Sequence, residues 1–355
     1  MRSSLIFAVL FTLCQQAWLS ISAQTLPVGL PVYEDYYRRA QLLGETDSSV
    51  SFTIRPIFPN SLKNNTKYLA GDSLPGLTRR TSFSRPLFSS LNNIDIRLLP
   101  LTFQSQVTSH HPYGWNDGPV IPAKGIQTMI SAGIFMQYKY FSLQLKPEMV
   151  AAENARFKGF PSEYQIETWA TAYDYYYNLI DAPERFGTGA YTRSDWGQSS
   201  LRFTFDPVSI GLSNENLWWG PGRRNSLLMS NNAPGFKHLT INTVRPVHTP
   251  AGSFEAQIIA GRLEDSGYPP PGADSLLYGV PIYKARNPEW RRLTGLILTY
   301  QPKWVPGLFL GYARTSQSYR SSDPDLPFLL KRLDYDKIYD EERDYDQYLS
   351  VFARW

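Results

Sequence analysis

Two stretches of the chain carry side chains suited to close non-covalent chemistry. Ser213 to Phe236 (SNENLWWGPGRRNSLLMSNNAPGF) holds the adjacent pair Trp218-Trp219, a Gly-Pro-Gly turn, Arg223-Arg224 and Asn231-Asn232. Tyr113 to Gly118 repeats the theme with Trp115, Asn116 and Asp117. Indole faces pack on the C–H faces of sugar rings, asparagines serve hydroxyls, and a guanidinium fork meets a carboxylate such as that of a uronic acid through two parallel bonds. Trp218, Trp219, Arg223, Arg224, Asn231, Asn232, Trp115, Asn116 and Asp117 therefore form the candidate binding set, with polysaccharide as its ligand class. Each has a plainer reading beside it. An indole can anchor a membrane interface, Gly220-Pro221-Gly222 can be a tight turn, and Asn-Asp-Gly can close two strands.

Covalent and metal chemistry have little to draw on. The single cysteine, Cys14, lies in the leader, and the four histidines His110, His111, His238 and His248 sit in no recognisable motif. Adjacent residues on an extended chain point to opposite faces, so His110-His111 does not read as a ligand pair. The acidic run Asp334 to Asp346 (DYDKIYDEERDYD) lacks the glycine turn and ordered ligand positions of a calcium loop. It reads as a solvated loop, one that cation-bridged lipopolysaccharide would suit. No catalytic residue, metal ligand or cofactor is expected, and the chain does not read as an enzyme.

The elements that must position the candidate set begin after an export leader. Residues 1–23 have a basic start at Arg2, an apolar run from Leu5 to Leu13 and small residues at Ser22-Ala23, the pattern of a signal peptide cleaved near Ala23. Net charge is +4, no nucleic-acid footprint. Past the leader no apolar run reaches the ~20 residues a spanning helix needs, so any membrane crossing is made by strands. Pro31 to Leu43 is the clearest helix, with Pro31 at its first position, Tyr33, Tyr36, Tyr37, Ala40 and Leu43 on one stripe and Gly44 as its stop.

From Ser51 the period changes to two. Ser51 to Ile57 is a candidate first strand. Leu99 to Gln104, Ile126 to Tyr138, Phe141 to Met149, Leu201 to Phe205, Val208 to Ser213, Phe254 to Ala260, Thr294 to Tyr300, Leu308 to Tyr312 and Leu349 to Trp355 alternate apolar with polar residues. Such segments between Pro, Gly, Asn and Asp turns build a sandwich or a barrel, and periodicity alone does not separate them. Long connections at Val150 to Asp195, Arg262 to Trp290 and Ser316 to Asp346 favour an outer-membrane barrel, which accepts them as surface loops.

The motifs carry a resemblance beyond composition. Tyr113-Gly114-Trp115-Asn116-Asp117-Gly118 with Ile121 to Gly125, then Leu145-Lys146-Pro147-Glu148, then Pro183 to Gly187 leading to Trp196-Gly197-Gln198-Ser199-Ser200, then Trp218 to Gly222 with Ser230 to Gly235, resemble in order the Wzi family of capsule-assembly outer-membrane proteins. The resemblance implies an all-β fold, a large antiparallel transmembrane β-barrel with a small periplasmic helical element at residues 24–48 and the barrel over residues 49–355. It implies a monomer of the Gram-negative outer membrane, inserted by the barrel-assembly machinery among outer-membrane lipid and lipopolysaccharide. Its role would be lectin-like: to bind and anchor capsular polysaccharide at the cell surface, without catalysis.

Family barrels run to about 18 strands, within the range such proteins adopt, whereas ten to twelve can be marked here. The expectation is a chain truncated at its C-terminal end, with Trp355 as a terminal assembly signal the rival view. A porin-type channel is the alternative function, and an outer-membrane hydrolase a more distant one, since the four histidines supply no Ser/His/Asp set.

Overall fold

The computed structural model describes residues 24–59, 85–87, 94–159, 163–181, 183–284, 287–321 and 345–355. The leader, most of the Pro59 to Pro86 connection and nearly all of the acidic run lie outside the described residues. In chain order the first elements are α1 (Pro31–Leu42), β1 (Ile54–Arg55), β2 (Arg85–Pro86), β3 (Ile94–Thr108), β4 (Gly125–Tyr138), β5 (Phe141–Leu145) and β6 (Glu148–Ala152). Helix α2 (Ile166–Ala172) runs into a π-helical turn, Tyr173–Tyr177, before β7 (Tyr191–Asp195), β8 (Ser200–Phe205), β9 (Val208–Ser213) and β10 (Trp218–Trp219). There follow β11 (His238–Thr243), β12 (Val247–Thr249), β13 (Gly252–Leu263), β14 (Leu276–Leu277), β15 (Val280–Pro281), β16 (Arg291–Pro302), β17 (Phe309–Tyr319) and β18 (Tyr345–Arg354).

Among the described residues fourteen strands form one sheet, running β18-β17-β16-β13-β11-β9-β8-β5-β4-β3-β2 with β6, β7 and β12 alongside. Every paired strand in it is antiparallel, and its neighbours follow one another along the chain. The fold class expected from the alternating pattern is the one observed.

The two faces are arranged inside out relative to a soluble sandwich. In β8, Arg202 and Thr204 are buried while Leu201, Phe203 and Phe205 are exposed; in β9, Ser209 is buried while Val208, Ile210 and Leu212 are exposed. Strand β11 repeats this, with Thr240 and Asn242 inside and Leu239 and Ile241 outside. Water would penalise such an apolar face and lipid favours it, so this is the wall of a transmembrane barrel. Aromatic pairs border the band at the short turns, Tyr140 on Phe205 at 5.0 Å and Phe254 on Tyr300 at 4.7 Å between ring centroids.

Strand direction separates the two ends. Residues 139–140, 206–207 and 303–308 make short turns at one end, whereas 109–124, 153–190, 214–237 and 264–290 connect strands at the other. Short periplasmic turns opposite long outer loops are the ordinary polarity of bacterial outer-membrane barrels.

Residues 24–58 fill the space that the polar face encloses. Thr25 N donates to Gln144 Oε1 (3.2 Å), Ser51 N to Glu255 Oε2 (2.7 Å), and the hydroxyls of Thr53 and Thr299 lie 2.7 Å apart. Phe52 clusters with Leu99 of β3 and Phe135 of β4, and the guanidinium of Arg354 in β18 stands 5.7 Å above its ring. Strands β4 and β18 are eight places apart in the sheet, roughly 38 Å if it were flat. The sheet therefore curls around this segment. Helix α1 rests Tyr33 and Tyr37 on the same apolar cluster.

The expected first strand, Ser51 to Ile57, shortens to β1 and leaves the wall altogether. It pairs instead with β10, Ile54 opposite Trp219 and Arg55 opposite Trp218, as a small ribbon inside the curl.

Candidate functional site

The two stretches singled out by residue type meet at the loop end. Gly118 N donates to Asn231 O (2.8 Å), Asn231 Nδ2 to Asn116 O (2.9 Å), and Asn116 N to Asn232 Oδ1 (2.7 Å). Asn116 Nδ2 donates to Arg224 O, and Trp115 Nε1 to Asn225 Oδ1 (3.2 Å). Asn116 reaches these partners because its backbone is left-handed, φ 54°, a region that asparagine tolerates. The result is one platform in which the Trp115 indole, 51% exposed, lies beside the exposed Arg223 and Arg224. Arg223 also pairs with Asp35 of α1. Burial pushes the Asp117 carboxyl above its ordinary value.

Trp218 and Trp219 take a different place. They are 5% and 2% exposed. Trp218 Nε1 donates to Gly222 O (2.8 Å), with the Arg55 guanidinium 5.7 Å over its ring. Trp219 Nε1 donates to Gln257 Oε1 (2.9 Å), and its ring packs among Leu217, Ile259, Leu293 and Ile297. A Cβ on Gly295 would come within 2.6 Å of that indole, so only glycine there leaves it room. These tryptophans hold the Arg223 to Asn232 loop from beneath. Asn231 is likewise buried, and Asn232 is exposed.

Below the platform lie residues that the sequence marked as motif but not as site. Gln144, Lys146 and Glu148 alternate with Leu145 and Pro147 and so face inward together. Strand pairing changes at this point, β5 lying against β8 and β6 against β7, with Lys146 bridged to Gly197. Gly197 adopts φ 53°, and a Cβ on it would stand 2.6 Å from Lys146 O. Lys146 Nζ donates to Ser131 Oγ (2.8 Å) and Thr102 Oγ1 (3.1 Å), while Gln198 Nε2 donates to Glu148 Oε1 (3.1 Å) and Asn216 Oδ1 (2.8 Å).

A second interior network centres on Glu215. Arg202 Nη2 and Ser213 Oγ donate to Glu215 Oε2 (2.7 and 2.9 Å), the Thr25 hydroxyl donates to Oε1, and Arg202 Nη1 donates to Asn242 Oδ1 (2.9 Å). Burial alone would raise the Glu215 carboxyl; the Arg202 charge and these donors outweigh it and hold the group below its ordinary value. Glu34 of α1 follows the same balance, burial being outweighed by Arg55 and Arg38.

The His110 and His111 rings do not diverge as an extended chain would have them. They meet edge to face with centroids 4.5 Å apart, because the chain bends there, and His111 Nε2 lies 2.9 Å from Lys158 O. Among the described residues no group of three or more His, Cys, Asp or Glu side chains could hold a metal ion.

Residues 114–284 match the family model described as Capsule assembly protein Wzi. No curated protein sequence matches the chain. A solved structure, Wzi, an outer membrane protein involved in group 1 capsule assembly in Escherichia coli and described as a carbohydrate binding β-barrel, aligns at 11% identity with a TM-score of 0.47. The alignment covers 87% of this chain and 57% of that one, so the chain spans little more than half of its length. The matched segment holds the Trp115 platform, the Lys146 and Glu148 strand junction and the Trp218-Trp219 turn, and it covers just under half of the chain.

Proposed function

We propose that the protein is an outer-membrane barrel that binds capsular or surface polysaccharide at its loop end and anchors it to the cell, acting as a lectin and not as an enzyme. The observation that carries this reading is the joined platform of Trp115, Arg223, Arg224 and Asn232, held by the buried Trp218-Trp219 pair at the long-loop end of a lipid-facing sheet. An exposed indole beside guanidinium and amide groups suits a sugar ring bearing hydroxyls and carboxylates.

In this reading residues 1–23 are an exported leader removed near Ala23, the monomeric barrel is inserted by the assembly machinery among lipopolysaccharide, and residues 24–48 begin the interior segment. Asp47 lies 3.7 Å from His248 and Ser48 O accepts from Gln301 Nε2 (3.3 Å) at the short-turn end. Thr25, and Asp35 of α1, instead meet Glu215 and Arg223 towards the loop end, so the helix lies within the curl and only its far end approaches the periplasmic side. The packed interior supports an anchor over an open channel.

Deleting the gene in its native host is expected to release polysaccharide into the medium without stopping its synthesis. Unchanged retention would overturn the anchoring role. Recovery of the mature protein in soluble periplasm would overturn the membrane placement, and stable open current in planar bilayers would favour the channel.

A further inference from the structure

The loops that form the platform also roof a cavity of about 60 Å³, which receives side chains from separate parts of the chain: Asn116, Asp117, Lys146, Glu148, Gln198 and Asn231. Four of the motifs noted in the sequence thus converge on one space. We propose that this cavity takes the hydroxyl-donating edge of a single neutral saccharide unit, an inference that rests on the polysaccharide reading above.

The hydrogen-bond inventory of the cavity decides the ligand chemistry. Glu148 is 6% exposed, its Oε1 accepts from Gln198, and its Oε2 has no partner. Asn116 Oδ1 has none either. Gln198 Nε2 is spent on Glu148 and Asn216, whereas Asn231 Nδ2, which donates to Asn116 O, and Lys146 Nζ, which donates to Ser131 and Thr102, each keep one N–H. What remains in this buried place is a mixed set of unmet acceptors and unspent donors, which is costly to leave unpaired. The complement is a group that both donates and accepts.

Four ligand classes can be compared. A uronate carboxylate would bring acceptors and negative charge against Asp117 and Glu148, so it belongs outside, at Arg223 and Arg224. An ammonium would donate but would face the Lys146 ammonium within the same walls. Two carboxylates without a third also fall short of a calcium cage. Adjacent hydroxyls of a neutral ring both donate and accept without adding charge, and the narrow space admits the edge of one ring.

The test uses the full chain folded in detergent, its folding checked by heat-modifiable migration, and titrates methyl α-glucopyranoside, glucosamine and glucuronate by calorimetry. Methyl glucoside is expected to bind saturably, with glucosamine and glucuronate each at least about tenfold weaker. Glu148→Gln, which replaces an acceptor by a donor, is expected to weaken methyl glucoside about tenfold, roughly the effect of one hydrogen bond. Asn116→Ala, at the half-buried rim of the cavity, is expected to weaken it in the same direction and carries the test if Glu148→Gln fails to fold. No saturable binding of methyl glucoside to the parent protein, unchanged affinity in the folded variants, or equal binding of glucuronate would overturn the inference. Polysaccharide retention by whole cells is scored separately: retention that depends on the gene, without monosaccharide binding, overturns the cavity alone, whereas retention that ignores the gene overturns the anchoring role.

Discussion

Arg202 Nη2 and Glu215 Oε2 meet at 2.7 Å with side chains 2% and 0% exposed, and the hydroxyl of Thr25 completes the carboxylate from the interior segment. The pair ties the barrel wall at β8, the loop after β9 and the start of residues 24–58 to one point. Removing one partner leaves a buried charge uncompensated, which costs about 3–5 kcal/mol, whereas replacing both by apolar groups can be nearly neutral. Arg202→Met is therefore expected to destabilise the fold by about 3–5 kcal/mol. The double variant Arg202→Met with Glu215→Leu should recover much of that loss in detergent unfolding titrations; a double variant as damaged as the sum of the singles would argue against the pair.

The same carboxylate predicts an acid response. Glu215 and Glu34 are both held below the ordinary value of 4.5. A depressed folded value means that their contribution is present above the unfolded value and is lost as pH falls through the folded one. Residues 24–58 should stay docked from neutral pH down to about 4.5 and loosen progressively below it. Amide exchange of Thr25, whose hydroxyl meets Glu215, measures the change, and exchange that stays constant from pH 5 down to pH 3 would contradict it.

The tryptophans divide by role. Trp219→Ala empties a packed interior site and is expected to cost about 3–5 kcal/mol, and by freeing the loop it should also reduce polysaccharide retention. Trp115→Ala removes an indole that is 51% exposed and should change stability by less than about 1 kcal/mol while lowering retention. Thermal unfolding beside whole-cell retention separates the two effects; a Trp115→Ala protein that retains polysaccharide normally would remove the indole from the platform.

The wall of the barrel was legible where alternation is clean. Val208 to Ser213 has the same bounds in sequence and structure because each residue meets either lipid or the polar interior. Phe141 to Met149 reads as one strand but divides at Lys146-Pro147, since proline cannot donate to a ladder. Strand β11 and the Ile166–Tyr177 helical stretch were not legible, the first because His238 to Thr243 carries only Leu239 and Ile241 as apolar residues, the second because a tyrosine-rich run resembles strand or loop as much as helix. The platform was legible by residue type. The burial of Trp218 and Trp219 was not, because it depends on Gln257, Gly295 and the β1 ribbon, partners far away along the chain. For the same reason the docking of residues 24–58 cannot be read locally.

The outward face gives the most direct test of the membrane placement. Ile210, 50% exposed on the outer surface of β9, lies between neighbours Phe203 of β8 and Ile241 of β11 that point the same way. In water, an arginine at such an exposed position would cost little. In lipid it costs about 2–4 kcal/mol near the bilayer midplane and about 0–1 kcal/mol near the interface. Ile210→Arg is therefore expected to slow or prevent folding into phospholipid vesicles while leaving folding in small detergent micelles far less affected. Arginine at Leu227, which is 85% exposed on a long outer loop, should be tolerated in both. Equal folding of the two variants into vesicles would show that the apolar face is covered by something other than a bilayer.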